Sequence, residues 1–236
     1  MIIFAYKEFL PKAYTRINSG NYINGKMHNI EDLCCQMEEI CRFCLPPEKE
    51  RIIYTTEHFY VMVSLGPIVE GYLLIISKEH IGACLHLPVE YMEEFCALKE
   101  KVYNILTEVY GACIFYEHGK IGSCVSEGQD HIHCFHAHLH CIPANVELNS
   151  IIGQELEGRK YPSFLHCYEA MKDINKYLYV EDGCITTYLP QRKLQRQYLR
   201  YKLAEAMGLT NRWDWVNNQN WPLIEQTITK LKPYFT

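Results

Sequence analysis

The run that decides the fold is residues 134–143, Cys-Phe-His-Ala-His-Leu-His-Cys-Ile-Pro. Histidines alternate with apolar residues, and successive side chains of a strand point to opposite faces. We therefore predict a strand over 135–142 with an apolar face in the core and His136, His138 and His140 on the other face. Three adjacent imidazoles are poor core material, because each has a donor and an acceptor to satisfy. The row points to phosphate or metal chemistry.

Two other interpretations of the histidine row stay open from the residues alone. One is a surface row of histidines with no role, which the cleanly apolar opposite face makes the weaker alternative. The other makes all three histidines ligands of one catalytic metal, with His131 and His133 as further donors just upstream.

The segments around this strand predict an α+β fold. Strand-like segments cover 51–55, 59–65, 71–77 and 112–117, and apolar residues at helical spacing predict a long helix over 88–110. Beyond residue 149 we expect a hairpin near 177–189 and helices over 194–207 and 221–231. The predicted organisation is a helical lead-in at 1–40, a catalytic domain at 41–148 and a C-terminal α/β extension at 149–236 packed on it.

Composition limits the function classes. The 236 residues are 48% hydrophobic and 22% charged, with a net charge of −5, which argues against an extended nucleic-acid footprint. We expect no membrane partner, because no apolar stretch reaches the ~20 residues needed to span a bilayer. The N-terminus does not read as a secretory signal, so the twelve cysteines indicate a reducing, cytoplasmic setting in which Cys pairs favour metal or redox chemistry.

Several motifs together resemble the histidine triad superfamily of nucleotide hydrolases and transferases. The run 136–142 matches its His-x-His-x-His pattern followed by two apolar residues. Segment 65–81 is similar to its paired strands and Lys-x-His segment, and 115–119 is similar to a Phe-x-Glu-His-Gly segment of a bacterial branch. The resemblance covers about 41–145, with a weaker likeness at 213–215 to a C-terminal extension of that branch. It implies an antiparallel sheet with the long helix packed on it.

The resemblance also implies a reaction. His138 would attack the α-phosphorus of a dinucleoside polyphosphate or nucleoside phosphoramidate and carry a covalent nucleotidyl group. A main-chain carbonyl, here that of His136, would hold the other ring nitrogen of His138. His140 would contact phosphate oxygens or the bridging oxygen and assist the leaving group.

Four residues are candidates for substrate binding. Ser64 stands where many relatives have an acidic residue for the ribose hydroxyls, so either nucleoside binding is looser or the substrate is not a standard mononucleotide conjugate. Ser123 and Gln129 belong to a loop whose N–H groups could hold phosphate oxygens. Arg200 could reach a phosphate if the C-terminal helix closes over the site.

A structural zinc ion is the expected cofactor. Cys41 and Cys44 form a Cys-x-x-Cys pair, which alone is ambiguous between metal and redox chemistry. The resemblance implies that His80 and His136 complete a tetrahedral site. Four protein ligands would close that site to chemistry and leave His138 and His140 for catalysis.

Two further function classes stay open. A metal-dependent phosphoester hydrolase would place all three triad histidines on the metal. A low-turnover nucleotide-binding or sensor protein would keep the pocket, and Ser64 keeps that alternative open. A nucleotide conjugate is the expected partner, and many members of the resembled family form homodimers.

Overall fold

The computed structural model describes residues 41–120 and 135–235, together with two short strands at 22–23 and 26–27. The predicted lead-in at 1–40 therefore lies almost wholly outside the described residues. The two short strands, β1 (Tyr22–Ile23) and β2 (Lys26–Met27), pair with each other.

The main sheet has eight antiparallel strands in the order β3-β4-β5-β7-β6-β9-β10-β8. Their bounds are β3 Ile52–Thr55, β4 Phe59–Val63, β5 Leu73–Ser77, β6 Ile114–Gly119, β7 His138–Ile142, β8 Gly158–Tyr161, β9 Tyr177–Glu181 and β10 Ile185–Tyr188. The strands of 149–236 thus continue the sheet of 41–148, because β9 pairs with β6.

Five α-helices and five short 3-10 helices accompany the sheet in the described part of the chain. The α-helices are α1 Met92–Tyr110, α2 Leu148–Ile152, α3 Phe164–Met171, α4 Tyr198–Ala206 and α5 Trp221–Leu231. The 3-10 helices are Lys49–Arg51, Cys84–His86, Val89–Tyr91, Thr210–Arg212 and Lys232–Phe235. Among the described residues, no helix combines the length and the apolar character that a membrane crossing requires.

Two hydrophobic cores cover the two faces of the sheet. One face packs against α1, α3 and α5 and includes Leu139 and Cys141 of β7. The other face packs against α2 and α4, and its buried residues include Tyr72 and Tyr116. The histidine-bearing face of β7 is therefore partly covered by the C-terminal segment.

The predicted fold class is confirmed. The strands, the long helix and the late hairpin occur close to their predicted bounds, and α1 ends where Gly111 adopts a left-handed φ of 86°. Strand β8 and helices α2 and α3 were not predicted from the sequence. Three of the four β8 residues are exposed, so this edge strand lacks the alternating pattern that identifies a half-buried strand.

Candidate active site and metal cluster

Strand β7 lies in the interior of the sheet between β5 and β6. His138 pairs with Ile76 of β5, and His140 pairs with Leu74 on one side and with Tyr116 of β6 on the other. Alternation directs Leu139 and Cys141 into the core beneath α1. His138 and His140 project from the opposite face, with ring centroids 4.9 Å apart.

The tautomer of His138 is determined by the backbone. Its Nδ1 lies 2.6 Å from the carbonyl oxygen of His136, so Nδ1 carries the hydrogen and donates it to that oxygen. Burial lowers the pKa of His138 to about 4, so the ring is neutral near pH 7. The lone pair consequently stays on Nε2. The ring of Phe43, from the Cys-x-x-Cys segment, packs against His138 at 4.9 Å between centroids.

His140 is more deeply buried and belongs to a chain of hydroxyl groups. Its Nδ1 lies 2.7 Å from the hydroxyl of Tyr72, which also hydrogen-bonds the hydroxyl of Tyr116. The Tyr116 ring stacks on the imidazole with centroids 4.5 Å apart. Burial, with a further contribution from the permanent positive charge of Arg200, holds the pKa of His140 well below its usual range.

Arg200 brings a buried positive charge to this face. The side chain is 3% exposed, and its guanidinium donates to the carbonyls of Trp213 (2.9 Å) and Gly66 (2.5 Å). Its Cζ lies 5.2 Å from the centre of the Tyr72 ring. Among the described residues, no carboxylate forms an ion pair with Arg200, and its charge is close enough to lower the pKa of His140.

His118 is a site residue that the sequence analysis missed. It lies on β6, and its Nε2 accepts a hydrogen bond from the backbone N–H of Leu199 at 3.0 Å. Burial lowers the pKa of His118 to about 3, so this ring is neutral as well. The contact joins the start of α4 to the sheet and sets the position of Arg200 one residue later. The quoted 115–119 motif was its only signal in the sequence.

The candidate residues for substrate binding differ in their surroundings. Ser64 is 3% exposed, and its hydroxyl donates to the carbonyl of Leu65 at 3.3 Å. Just beyond it, a Cβ on Gly66 would lie 2.6 Å from Trp215 and Asn218, so the C-terminal segment packs directly on this loop. Ser123 and Gln129 lie outside the described residues.

Cys41, Cys44, His80 and His136 form a compact cluster. One potential ligand atom from each lies within 4.8 Å of all the others. The Sγ–Nδ1 distances are 3.4 Å for Cys41–His136, 3.2 Å for Cys44–His80 and 3.6 Å for Cys44–His136. In a tetrahedral zinc site, sulfur and nitrogen ligands lie about 3.5 Å apart. The donor set and spacing therefore fit zinc.

A hydrogen bond outside the cluster supports this assignment of ligand atoms. Nε2 of His136 lies 2.7 Å from the carbonyl oxygen of Ser77 and donates to it, which leaves Nδ1 with the lone pair that a metal requires. Among the described residues, the cluster includes His136 but neither His138 nor His140. The geometry therefore does not favour a metal held by all three triad histidines.

A buried carboxyl group lies beneath the histidine strand. Glu117 of β6 is 2% exposed and accepts hydrogen bonds from the backbone N–H of Cys84 (2.8 Å) and from the hydroxyl of Tyr177. Burial raises the pKa of Glu117 to about 7, although these donors and the backbone N–H of His138 oppose the shift.

Glu117→Gln is expected to change the pH dependence of stability. An unfolded glutamate ionises near pH 4.5, whereas the folded one keeps its proton until about pH 7. The free energy of unfolding of the wild type therefore falls between these values, by about 3 kcal/mol from this group. The variant lacks this fall. Urea unfolding of both proteins from pH 4.5 to 8 measures the difference, in which other titrations cancel, and parallel profiles would contradict the raised pKa.

Comparison with known proteins identifies the family. The family described as proteins similar to the CwfJ C-terminal matches residues 31–155, more than half of the chain. A HIT-like protein of Borreliella burgdorferi is 27% identical over 110 residues, covering 44% of this chain and 74% of that protein. The chain belongs to this family of the histidine triad superfamily.

Two other relatives of this histidine triad protein carry different names. The zinc finger CCCH domain-containing protein 59 of Oryza sativa subsp. japonica is 22% identical over 205 residues, which are 77% of this chain and 32% of the rice protein. The chain thus spans about a third of that relative. The adenosine 5′-monophosphoramidase of Candida albicans is 26% identical over 127 residues, 50% of this chain and 78% of that enzyme.

Proposed function

We propose that this histidine triad protein is a nucleotide hydrolase or nucleotidyl transferase that acts at an α-phosphorus through a covalent nucleotidyl-His138. The observation that carries the proposal is the hydrogen bond from Nδ1 of His138 to the carbonyl oxygen of His136. It leaves a neutral imidazole with its lone pair on Nε2, which is the form that attacks phosphorus. The family's nucleotide chemistry, including the phosphoramidase name of the Candida relative, supports the same class.

The reaction balances in two displacements. In the first, the Nε2 lone pair of His138 forms a bond to phosphorus, and the bond to the leaving group breaks with its electron pair on that group. The positive charge on the nucleotidyl-imidazole is shared with the His136 carbonyl through the Nδ1 hydrogen. In the second, the oxygen of water or of another hydroxyl acceptor bonds to phosphorus, the phosphorus–Nε2 bond breaks with its electron pair returning to Nε2, and the acceptor's proton passes to solvent. His140 and Arg200 stabilise the negative charge on the phosphoryl oxygens and the leaving atom.

Dinucleoside polyphosphates and nucleoside phosphoramidates are the proposed substrate classes. Both place an α-phosphorus next to a leaving group, which departs as a phosphate or, once its nitrogen has taken a proton from solvent, as an amine. Ser64, Ser123 and Gln129 are the proposed contacts to the nucleoside and phosphate. Because Ser64 is buried against Leu65, its contact to a ribose would require this loop to shift.

Zinc held by Cys41, Cys44, His80 and His136 is the proposed cofactor. A zinc ion bound there would have four protein ligands and no open coordination position, so its role would be structural. It would tie the Cys-x-x-Cys segment to the residue whose carbonyl orients His138.

A trapped adduct tests the proposal. The protein is mixed briefly with a dinucleoside polyphosphate or an adenosine phosphoramidate and quenched in base, in which a phosphoramidate survives. We expect a mass increase of one adenylyl group on the peptide that contains His138. Tight nucleotide binding with neither adduct nor product would contradict the enzyme and favour a binding protein instead.

A further inference from the structure

A buried hydroxyl lies within hydrogen-bond distance of His140. Tyr72 is fully buried, and its hydroxyl lies 2.7 Å from Nδ1 of His140 and within hydrogen-bond distance of the Tyr116 hydroxyl. From the sequence, this residue has only a place in the strand-like segment 71–77. No part of the proposed reaction above uses it.

The environment makes the tautomer of His140 matter. Burial, with a contribution from the charge of Arg200, keeps His140 neutral. A neutral imidazole has one N–H and one lone pair, so it can donate to a leaving group only from the nitrogen that carries the hydrogen. Nε2 is therefore a donor only if Nδ1 accepts, rather than donates, the hydrogen bond with the Tyr72 hydroxyl.

The hydrogen bonds that join Tyr116, Tyr72 and His140 can form together when each hydroxyl donates toward His140. A tyrosine hydroxyl has one hydrogen to donate and two lone pairs. If Tyr116 donates to Tyr72, the Tyr72 hydrogen goes to Nδ1 of His140. The guanidinium of Arg200, 5.2 Å from the centre of the Tyr72 ring, has no acceptor atom and so does not compete for that hydrogen. Nε2 of His140 hydrogen-bonds none of the described residues.

We propose that Tyr72 is a positioning residue that donates to Nδ1 of His140 and so keeps the hydrogen of His140 on Nε2, where it hydrogen-bonds the leaving atom. This inference rests on the proposed nucleotidyl transfer for its chemical purpose. It requires no net proton transfer from His140. The hydrogen bond strengthens as negative charge develops on the leaving atom, so it lowers the barrier most for poor leaving groups.

Kinetics with two leaving groups test the role. The substrates are the phenyl and 4-nitrophenyl esters of adenosine 5′-monophosphate, which differ in how readily the phenolate departs. Tyr72→Phe is expected to lower kcat for the phenyl ester about 10²-fold and to affect the 4-nitrophenyl ester much less, with KM nearly unchanged. Equal losses on both esters would overturn the proposal, since a misfolded or loosened site slows both.

Tyr188→Phe is the matched control. Tyr188 is also buried and lies on β10, which does not pair with β7. Its hydroxyl donates to the side chain of Asn149 at 2.9 Å. Its replacement also removes a buried tyrosine hydroxyl, so both esters should keep their wild-type rates. Thermal unfolding of the two variants shows whether they lose comparable stability.

A measurement without turnover separates this proposal from the proposed function. Nitrogen-15 spectra of the zinc-loaded protein with labelled histidine report which ring nitrogen of His140 carries hydrogen. We expect an Nε2–H form in the wild type and a mixture in Tyr72→Phe. An Nδ1–H form in the wild type overturns the proposal, even if an adduct forms on His138. The expected tautomer without any adduct would instead contradict only the nucleotidyl transfer.

Discussion

His138→Gly is expected to lower kcat/KM for nucleotidyl transfer by about 10⁴-fold or more. The variant removes the atom that forms the bond to phosphorus, and losing a covalent nucleophile typically has an effect of this size. No other described group replaces it, because Nδ1 of His140 is engaged by Tyr72 and Nε2 of His118 by the backbone of Leu199. Steady-state rates with an adenosine phosphoramidate measure the loss.

Adding free imidazole to His138→Gly tests whether the lost activity is that of the missing ring. The glycine leaves a space the size of the missing ring beside Phe43, and free imidazole in that space can attack the same phosphorus. We expect partial recovery of substrate consumption with nucleotidyl-imidazole as the released product. His166→Gly, at a surface position on α3, is the matched control and should keep full activity. Wild-type activity in His138→Gly would exclude this histidine as nucleophile.

The central part of the fold could be predicted from local pattern. Alternation in 134–143 predicts which side chains of β7 enter the core, and Leu139 and Cys141 are indeed fully buried there. Helical spacing predicts α1, and the structure ends this helix at Gly111. These features depend on near neighbours in the chain, so a single sequence contains them.

The missed features depend on contacts between distant segments. His118 joins the site because a backbone N–H at residue 199 reaches its ring, a separation of 81 residues. Ser64 matches a nucleoside-binding position by sequence, yet the C-terminal segment at 215–218 covers the adjacent loop. No spacing within either motif indicates what the C-terminal extension will cover.

The metal cluster was predicted partly from the residues themselves and partly from the family resemblance. The Cys-x-x-Cys pair alone allows metal or redox chemistry, and it does not indicate which histidines approach it. The choice of His80 and His136 came from the family resemblance. The structure brings all four residues together, and the Ser77 carbonyl supplies the outer hydrogen bond that the sequence analysis did not foresee.

His136 belongs to the metal cluster and also contacts the proposed nucleophile, His138. The His136 ring faces the two cysteines, while its carbonyl accepts the Nδ1 hydrogen of His138. The position of the His136 carbonyl therefore depends on where the His136 side chain is held. A metal at the cluster would hold the carbonyl in place without taking part in the reaction.

Cys44→Ala is accordingly expected to lose both the metal and much of the stability. The wild type should contain one zinc ion per chain by elemental analysis, and the variant almost none. Structural zinc binding supplies roughly 10 kcal/mol or more, which is comparable with the whole stability of a typical domain. We expect the unfolding temperature to fall by more than about 10 °C, and a strong chelator should reproduce this change in the wild type.

The control distinguishes metal loss from the loss of a cysteine. Cys113→Ala replaces a part-buried cysteine just before β6 that lies outside the metal cluster, and its Sγ lies 3.8 Å from the carbonyl oxygen of Ile114. It should retain zinc and stay within about 1 kcal/mol of the wild type. His138→Gly should also retain zinc, because its ring is outside the cluster. A Cys44→Ala protein with wild-type zinc content would exclude the proposed site, whereas zinc loss with unchanged nucleotidyl transfer would separate the metal from the orientation of His138.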